Sequence, residues 1–578
     1  MKKKVPILFL ATLALMALAT YVIFIKSGYP LVGIDDANIF FVYAHNFLAH
    51  HAFVYQPGGE RVEGFSSMLW ELLCIAAFKF LHAPELGLVL FNIVLTALGL
   101  TYLLVFIRTT FATKVIPAAA SLFFFLWIFS TPSYILWSTI SLMEFGVWSF
   151  LQVALIVSIL FLTRSMLTAR KQFLLCALFV AFVLARPESL LLGLVYLFLL
   201  GLVFYFKNGR RIRTAFLSVV PSLCAFVGTT LALTAFRIYY FGFPFPNTYY
   251  AKVSGDLFYR FSAGFLYFIK FLYWYPLALW SLLAMAVTAW IVLRRWRMNR
   301  TWFAEQETKT TLLQLVVIGI AITVNLLLPV YEGGDHFAEA RLFLPIWPLL
   351  ALPILYFFKL LADIAVRKDI RMFDSWFVRG CAMLAFLVLF FYFPPYKWYE
   401  RPEQYSVSKG IGLAQAERQE GVFLNTFFRD IPRMPTVGVI AAGGIAFSYQ
   451  GPVADLMGLN DVVMAHQTNN SRIGLAGHAA FDTQTFFTSS HVDVLLPIVA
   501  DQNTQIDQVE GTLAYANTFF LEDIFDNAEF KQSFTPAIAF NPATKQYLFA
   551  YYSNTFLVQM RENGIRVVGD FRPNIVKN

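Results

Sequence analysis

Long apolar runs alternate with short polar and basic segments over the first 394 residues. About 20 consecutive apolar residues form a helix long enough to cross the hydrocarbon core of a bilayer. The pattern therefore predicts a polytopic α-helical membrane protein. The predicted spans are residues 6–27, 85–107, 115–132, 145–163, 172–185, 189–206, 214–235, 274–293, 311–330, 342–362 and 379–394.

Basic clusters beside these runs predict the orientation of the helices, because Lys and Arg concentrate on the cytoplasmic side of a membrane. The first run follows Lys2, Lys3 and Lys4 and is too long for a typical signal peptide, so we expect an uncleaved anchor with a cytoplasmic N-terminus. Eleven crossings then place the C-terminus outside. The clusters used are Lys2 to Lys4, Arg108 with Lys114, Arg164 with Arg170 and Lys171, Lys207 with Arg213, Arg294 with Arg300, and Arg367 with Arg371.

The first external loop, residues 28–84, contains a further apolar stretch at 68–81. A span at this stretch would move the basic residues Arg108 and Lys114 to the outside. We therefore expect a helix that lies at the external membrane interface.

Composition agrees with this picture. Hydrophobic residues make up 58% of the chain, which excludes a soluble globular protein. The net charge of +9 divides into +14 before residue 395 and −5 after it, which is typical of cytoplasmic loops rather than of a nucleic-acid-binding surface. The four cysteines (Cys74, Cys176, Cys224 and Cys381) lie in apolar segments, so neither a disulfide framework nor a cysteine metal site is indicated.

The pattern changes after residue 394. Short apolar runs such as "TVGVIAAGGIAFSY" and "VDVLLPIVA" alternate with polar and glycine-containing turns. Residues 395–578 are therefore predicted to form a compact external α/β domain, of a size usual for one domain. Gly443 and Gly444 are a weak nucleotide-binding signal, because the full glycine fingerprint is missing.

The paired acids Asp35 and Asp36 are the first candidates for chemistry. Apolar residues recur at helical spacing in the following "ANIFFVYAHNFL", so the pair is predicted to begin an amphipathic interfacial helix. The helix dipole favours negative charge at that end. The pair could serve as a general base or a metal anchor, although acids beside a helix end are also commonly just solvated.

Polar residues also collect at the other predicted external turns. Only 35 residues separate the basic residues Lys171 and Lys207, so the turn at Arg186 and Glu188 must be shallow. Arg186 either extends to the lipid headgroups or binds an anionic headgroup. His336 lacks a second histidine at metal-ligand spacing. The external candidates are Glu63, Glu144, Arg186, Glu188, Arg237, Asn247, Tyr250, Lys252, Asp335, His336 and Arg341.

External acids, cations at phosphate depth and a membrane platform suit the transfer of a sugar from a polyprenyl-phosphate carrier. A carboxylate removes the proton of the acceptor hydroxyl, and Arg or Lys neutralises the departing phosphate. Two alternatives stay open, a transporter or flippase of lipid-linked sugars and a noncatalytic glycan-assembly subunit. A transporter would show related halves and charged sites near the bilayer midplane, and no internal repeat is evident.

The chain also resembles the GT-C glycosyltransferases, in particular the branch that contains the mycobacterial terminal arabinofuranosyltransferase AftB. The resemblance extends over nearly the whole length. It is carried by "IDDANIFFVYAHNF", "YQPGGERVEGFSSMLW", "WSTISLME", "ARPES", "FRIYYFGFPFPNTYYAK", "GGDHFAEARLFLPIWP", "GPVADLMGLND" and "GHAAFD". One departure is clear, since the family pattern Arg-Tyr-Ala-Arg is replaced by Val42-Tyr43-Ala44-His45.

The resemblance implies an inverting transferase with Asp35 as catalytic base and Asp36 as its partner in organising the acceptor or a metal. A divalent cation, if used, would be held by Asp36 or Asp335. The donor would be a polyprenyl-phosphate-linked sugar such as arabinofuranose, and the acceptor a cell-envelope glycan, lipid or protein. The site and the tail domain would lie on the periplasmic face of a bacterial inner membrane. Arg186, Arg237, Lys252 and Arg341 would face the carrier phosphate, and Glu63, Glu144, Glu188, Asn247, Tyr250, Asp335 and His336 would bind substrate.

Overall fold

The computed structural model describes residues 5–111, 116–252, 256–298, 305–367, 407–467 and 480–570. Its contacts divide the chain into two compact units. The first unit comprises Met1–Gly28, Leu86–Leu233 and Arg260–Val407, and the second comprises Tyr29–Glu85, Thr234–Tyr259 and Ser408–Asn578. The predicted domain boundary at residue 394 lies outside the described residues.

The first unit is helical. Its helices are α1 (Val5–Ser27), α4 (Pro84–Thr110), α5 (Ile116–Phe129), α6 (Pro132–Thr139), α7 (Phe145–Leu162), α8 (Ala169–Ala185), α9 (Ser189–Lys207), most of α10 (Ile212–Phe241), most of α12 (Leu257–Trp274), α13 (Pro276–Met298), α14 (Gln306–Glu332), a 3₁₀ segment (Ala338–Leu350) and α15 (Ala351–Arg367). Pro132 begins α6 after a bend of 70° from α5, as expected for a residue that cannot continue the helical hydrogen bonds.

Eight described helices are long and apolar enough to cross a membrane, or nine when the bent pair α5 and α6 counts as one span. Each predicted span from 6–27 to 342–362 coincides with a helix. One of them, α8, has 17 residues and covers the predicted span 172–185. The eleventh, 379–394, lies outside the described residues. The prediction of a polytopic helical membrane protein is confirmed, and its orientation stays a prediction.

The second unit combines helices from the loops predicted to be external with the tail domain. The loop helices are α2 (Asp35–His50), α3 (Met68–Phe80), the end of α10, α11 (Asn247–Lys252) and the start of α12. The tail helices are α16 (Val407–Phe427), α17 (Gly444–Ser448), α18 (Val462–Ala465), α19 (Thr483–Thr488), α20 (Ile506–Phe520), α21 (Ala528–Ser533) and α22 (Asn554–Glu562).

The tail domain has a six-stranded mixed sheet, which confirms the predicted α/β domain. The strands are β1 (Val437–Val439), β2 (Val453–Asp455), β3 (Val494–Ala500), β4 (Phe534–Asn541), β5 (Gln546–Ser553) and β6 (Arg566–Asp570), in the order β2-β1-β3-β5-β4-β6. β1 is parallel to β2 and β3, whereas the remaining pairs are antiparallel. Buried rings such as Phe486, Phe530 and Phe549 form its core.

The two segments predicted to be interfacial helices, α2 and α3, are both helical in the structure. α2 begins at Asp35 as expected, but residues 37–44 are all buried, so its first half lacks the predicted exposed polar face. The rings of Phe65 and Phe447, from other segments of the same unit, pack against it. α3 occupies 68–80 and at 13 residues is too short to span a bilayer. Its position at the membrane interface stays a prediction.

Candidate active site

Asp35 is held by the glycine pair that follows strand β1. Its Oδ2 accepts a hydrogen bond from the backbone N–H of Gly443 at 3.1 Å, and its Oδ1 accepts one from Gly444 at 2.6 Å. A Cβ on Gly443 would lie 2.0 Å from the backbone oxygen of Asp35 and 2.7 Å from Oδ1. Only glycine allows this approach. The weak nucleotide signal in the sequence is therefore explained by a contact with the chain's own carboxylate.

The local fold explains why these groups meet. Ligand sites in parallel sheets form beyond the carboxyl ends of the strands, and the loop after β1 carries Gly443 and Gly444 to the start of α17. On the other side, the side-chain amide of Asn38 donates to the carbonyls of Val32 and Ile34, at 3.1 and 2.8 Å. This contact fixes the turn from which Asp35 begins α2.

A second carboxyl, that of Glu417 on α16, hydrogen bonds with Asp35. Burial raises the pKa of Glu417 well above its usual range, and the negative Asp35 raises it further. Burial also raises the pKa of Asp35, whereas the hydrogen bonds from Glu417, Gly444 and Gly443 act in the opposite direction. Nothing in the sequence pattern distinguished Glu417, which lies in a polar helix far along the chain.

Asp36 and Lys252 provide the more exposed part of this site. The Lys252 Nζ lies 3.5 Å from Asp36 Oδ2, and their side chains are 30% and 19% exposed. Lys252 ends the short helix α11, which places a cation beside the acidic pair at the start of α2. The structure therefore brings together three predicted residues, namely Asp35, Asp36 and Lys252.

Arg418, which the sequence reasoning missed, lies beside this site. Its Nε donates to Asn38 Oδ1 at 2.6 Å and its Nη1 to Glu85 at 3.2 Å. Its guanidinium lies 4.1 Å from the ring centre of Phe447, which also contacts His45 at 5.3 Å. Burial lowers the pKa of His45. The guanidinium of Arg418 thus lies beside α2, the helix in which His45 stands where the family pattern has an arginine.

Other predicted residues of the second unit hold its segments together. Arg237 Nε and Nη2 donate to both carboxylate oxygens of Glu63, in an ion pair that is almost fully buried. Asn247 donates to the carbonyls of residues 458, 459 and 461. Tyr250 packs against His466 with ring centres 4.1 Å apart. Glu63 thus holds the guanidinium of Arg237, and the role of Arg237 as a ligand of the carrier phosphate stays a prediction.

The first unit contains a separate charged cluster. Arg186 forms ion pairs with Glu144 and Glu188, and Arg341 forms one with Asp335. His336 Nδ1 lies 3.1 Å from Asp335 Oδ1. A cavity of about 530 Å³, including its open mouth, is lined by Trp137, Met143, Glu144, Phe145, Trp148, Gln152, Arg186, Glu188, Leu192, Asn325, Leu328, Pro329, Glu332, Arg341, Leu342 and Pro345.

Within the described ranges, no group of three or more His, Cys, Asp or Glu side chains has the arrangement of a metal site. Asp36 and Asp335, the two acids expected to hold a divalent cation, belong to different compact units. The divalent cation stays a prediction.

The similarity of the chain to known proteins is confined to solved structures. No protein-family model matches the chain, and no curated protein sequence matches it. Among solved structures, the chain is similar to ArnT from Cupriavidus metallidurans bound to undecaprenyl phosphate, at 12% identity and a TM-score of 0.44, over 94% of this chain and 97% of that one. It is also similar to the archaeal oligosaccharyltransferase AglB from Archaeoglobus fulgidus in complex with an inhibitory peptide and a dolichol-phosphate, at 12% identity and a TM-score of 0.44, over 95% and 74% of the two chains. The helical membrane fold with its α/β tail domain rests on the helices and the sheet described above.

Proposed function

We propose that this protein is an inverting glycosyltransferase of the GT-C type that uses a polyprenyl-phosphate-linked sugar. The observation that carries the proposal is the setting of Asp35, a carboxylate that is held by two backbone N–H groups and is followed by Asp36, which pairs with Lys252. The many apolar helices favour a donor whose tail lies in lipid. ArnT and AglB are bound to carriers of this chemical class in their structures, but the proposal itself rests on the site of this chain.

In the proposed reaction, Asp35 accepts the proton of the acceptor hydroxyl as the oxygen attacks the anomeric carbon of the sugar. The new carbon–oxygen bond forms while the bond from that carbon to the carrier phosphate breaks, and the phosphate leaves with the electron pair. Lys252 supplies positive charge to the departing phosphate. Asp36, which lies beside Lys252, orients this lysine.

The remaining assignments belong to the same proposal. Arabinofuranose is the proposed donor sugar, and a cell-envelope glycan, lipid or protein is the acceptor. The proposed location is a bacterial inner membrane, with the active site and tail domain on the periplasmic side. Arg186 and Arg341 are kept as candidate ligands of a carrier phosphate at the cavity of the first unit, where the phosphate must compete with the carboxylates of Glu144, Glu188 and Asp335.

The decisive variant is Asp35→Asn, which keeps the size of the side chain and removes its basicity. We expect the rate of transfer to fall by about 10²- to 10⁴-fold, the usual contribution of general base catalysis. The assay measures transfer of labelled arabinose from a short-chain polyprenyl-phosphoryl-arabinofuranose to membrane glycans by purified protein in detergent.

The matched control is Asp430→Asn, a half-exposed aspartate of the same unit, which should transfer sugar at the wild-type rate. Unchanged transfer by Asp35→Asn would show that Asp35 is not the base. Wild-type protein that transfers no sugar from this donor, nor from donors with other pentoses and hexoses on the same carrier, would refute the proposed function.

A further inference from the structure

The contact between Asp35 and Glu417 brings two carboxyl groups together at the proposed active site. Glu417 is 6% exposed. Gly444 packs against it closely, because a Cβ on this glycine would lie 2.7 Å from Glu417 Cβ and 3.0 Å from its Oε2. Two carboxyl groups in hydrogen-bond contact cannot both be ionised at low cost, so one of them holds a proton near neutral pH.

The hydrogen-bond donors around the pair decide which group holds the proton. Asp35 accepts hydrogen bonds from two backbone N–H groups, which stabilise its negative charge. Glu417 has a buried Oε2 that accepts no hydrogen bond within the described residues. The negative charge therefore resides on Asp35 and the proton on Glu417. The direction of the pKa of Glu417, well above its usual range, agrees with this distribution.

We propose that Glu417 is a positioning residue that, in its protonated form, donates its O–H to Asp35 and thereby orients the catalytic base. An ionised carboxylate has about four lone-pair positions for hydrogen bonds. Gly443, Gly444 and Glu417 occupy three of them, which leaves one for the hydroxyl of the acceptor. The role of Asp35 as base rests on the proposed function, whereas the shared proton does not.

Other titratable groups face this pair and are part of its electrostatic environment. Asp36 on α2 and Glu420 on α16 add negative charge near Glu417, which favours its protonated form. The Tyr55 hydroxyl also faces both carboxyls and donates to the Ala442 carbonyl at 2.5 Å. The positive charge of Lys252 lies on the far side of Asp36, 3.5 Å from Oδ2 of that residue.

The proton can be located without any substrate. Infrared difference spectra of purified wild-type protein minus Glu417→Gln, recorded at pH 7, show whether the variant loses a carboxylic-acid band or a carboxylate band. We expect loss of the carboxylic-acid band, and loss of carboxylate bands for wild type minus Asp35→Asn. Loss of a carboxylate band on substitution of Glu417 would overturn the proposal.

The positioning role is tested by the pH dependence of transfer from the same polyprenyl-phosphoryl-arabinofuranose. Glu417→Ala removes a donor to an ionised group, so the pKa of Asp35 should rise and the acid limb of the rate profile should move up by about one to two pH units. We expect kcat to fall by about tenfold with little change in KM. Glu417→Gln keeps an N–H donor and should retain the wild-type acid limb.

The control is Glu562→Ala, an exposed carboxyl at the end of α22 in the same unit, which should leave the acid limb unchanged. A downward shift in Glu417→Ala would mean that Glu417 is a negative charge beside Asp35, and an unchanged limb would mean that it does not orient Asp35. Either result contradicts the positioning role. Failure of the proposed function appears differently, as absence of transfer by the wild type, and leaves the infrared result intact.

Discussion

The Arg186 cluster of the first unit and the Asp35 site of the second treat buried acids in opposite ways. In the first unit, Glu144 and Glu188 pair with Arg186, so their charges are neutralised by a guanidinium. In the second unit, Asp35 is held by neutral donors, namely two backbone N–H groups and a protonated carboxyl. Neutral donors orient a carboxylate and leave its net charge available to take up a proton. Ion pairs instead contribute a rigid structure whose charges are already satisfied.

Gly443→Ala should have the largest effect, because it disrupts the hydrogen bonds from the N–H groups of Gly443 and Gly444 to Asp35 without altering any charge. The added Cβ would lie 2.0 Å from the Asp35 backbone oxygen, so Asp35 must move away from its two N–H donors. We expect transfer to fall by about 10²-fold or more, close to the loss of the base itself. The measurement is the transfer rate at matched protein concentration.

The control for this substitution is Gly511→Ala, within α20 of the same unit, where a Cβ meets nothing within 4 Å. It should keep full activity and stabilise the unit by up to about 1 kcal/mol, because alanine favours helix over glycine. Equal activity of the two alanine variants would show that the N–H groups of Gly443 and Gly444 do not orient Asp35.

Arg186→Met tests the ion-paired side of the comparison. The substitution removes the cation that pairs with Glu188 and with Glu144, whose side chain is 1% exposed, so we expect the free energy of unfolding to fall by about 3 kcal/mol. Thermal unfolding in detergent measures this loss, and the additional substitution Glu144→Gln should recover part of it.

By contrast, Lys252→Ala removes a partly exposed cation and should change stability by less than about 1 kcal/mol. A larger loss of stability for Lys252→Ala than for Arg186→Met would reverse the contrast between the Arg186 cluster and the Asp35 site.

Glu420 on α16 provides the last test, that of a carboxyl with a buried oxygen that has no hydrogen-bond partner among the described residues. Burial raises its pKa to about 7, and its Oε1 is buried without a hydrogen bond within the described residues. The folded protein therefore binds this proton more tightly than the unfolded chain, so its contribution to stability is complete below pH 4.5 and is lost as pH rises to about 7. At pH 8, Glu420→Gln should be more stable than wild type by up to about 3 kcal/mol, with no such difference at pH 4. Parallel unfolding curves for the two proteins across this range would contradict the shift.

Much of the architecture followed from local patterns. Ten of the eleven predicted spans coincide with described helices, because the hydropathy of a membrane helix is set by its own residues. The start of α2 at Asp35 was predicted from the acid pair and the apolar spacing that follows. The burial of residues 37–44 was not predicted, because rings such as Phe447 cover this helix from a distant segment.

In the candidate site, too, local sequence predicts some features and contacts between distant residues set the others. Length, hydropathy and a local charge pattern were enough to predict the membrane-spanning helices, the α/β tail and Asp35 as a candidate. The contacts of Asp35 with Gly443, Gly444 and Glu417 became visible in the folded chain. The same holds for the buried ion pair between Arg237 and Glu63. The physical reason is that each carboxylate takes the partners that folding brings within hydrogen-bond distance, and residues so far apart along the chain carry no local sign of which partner that is.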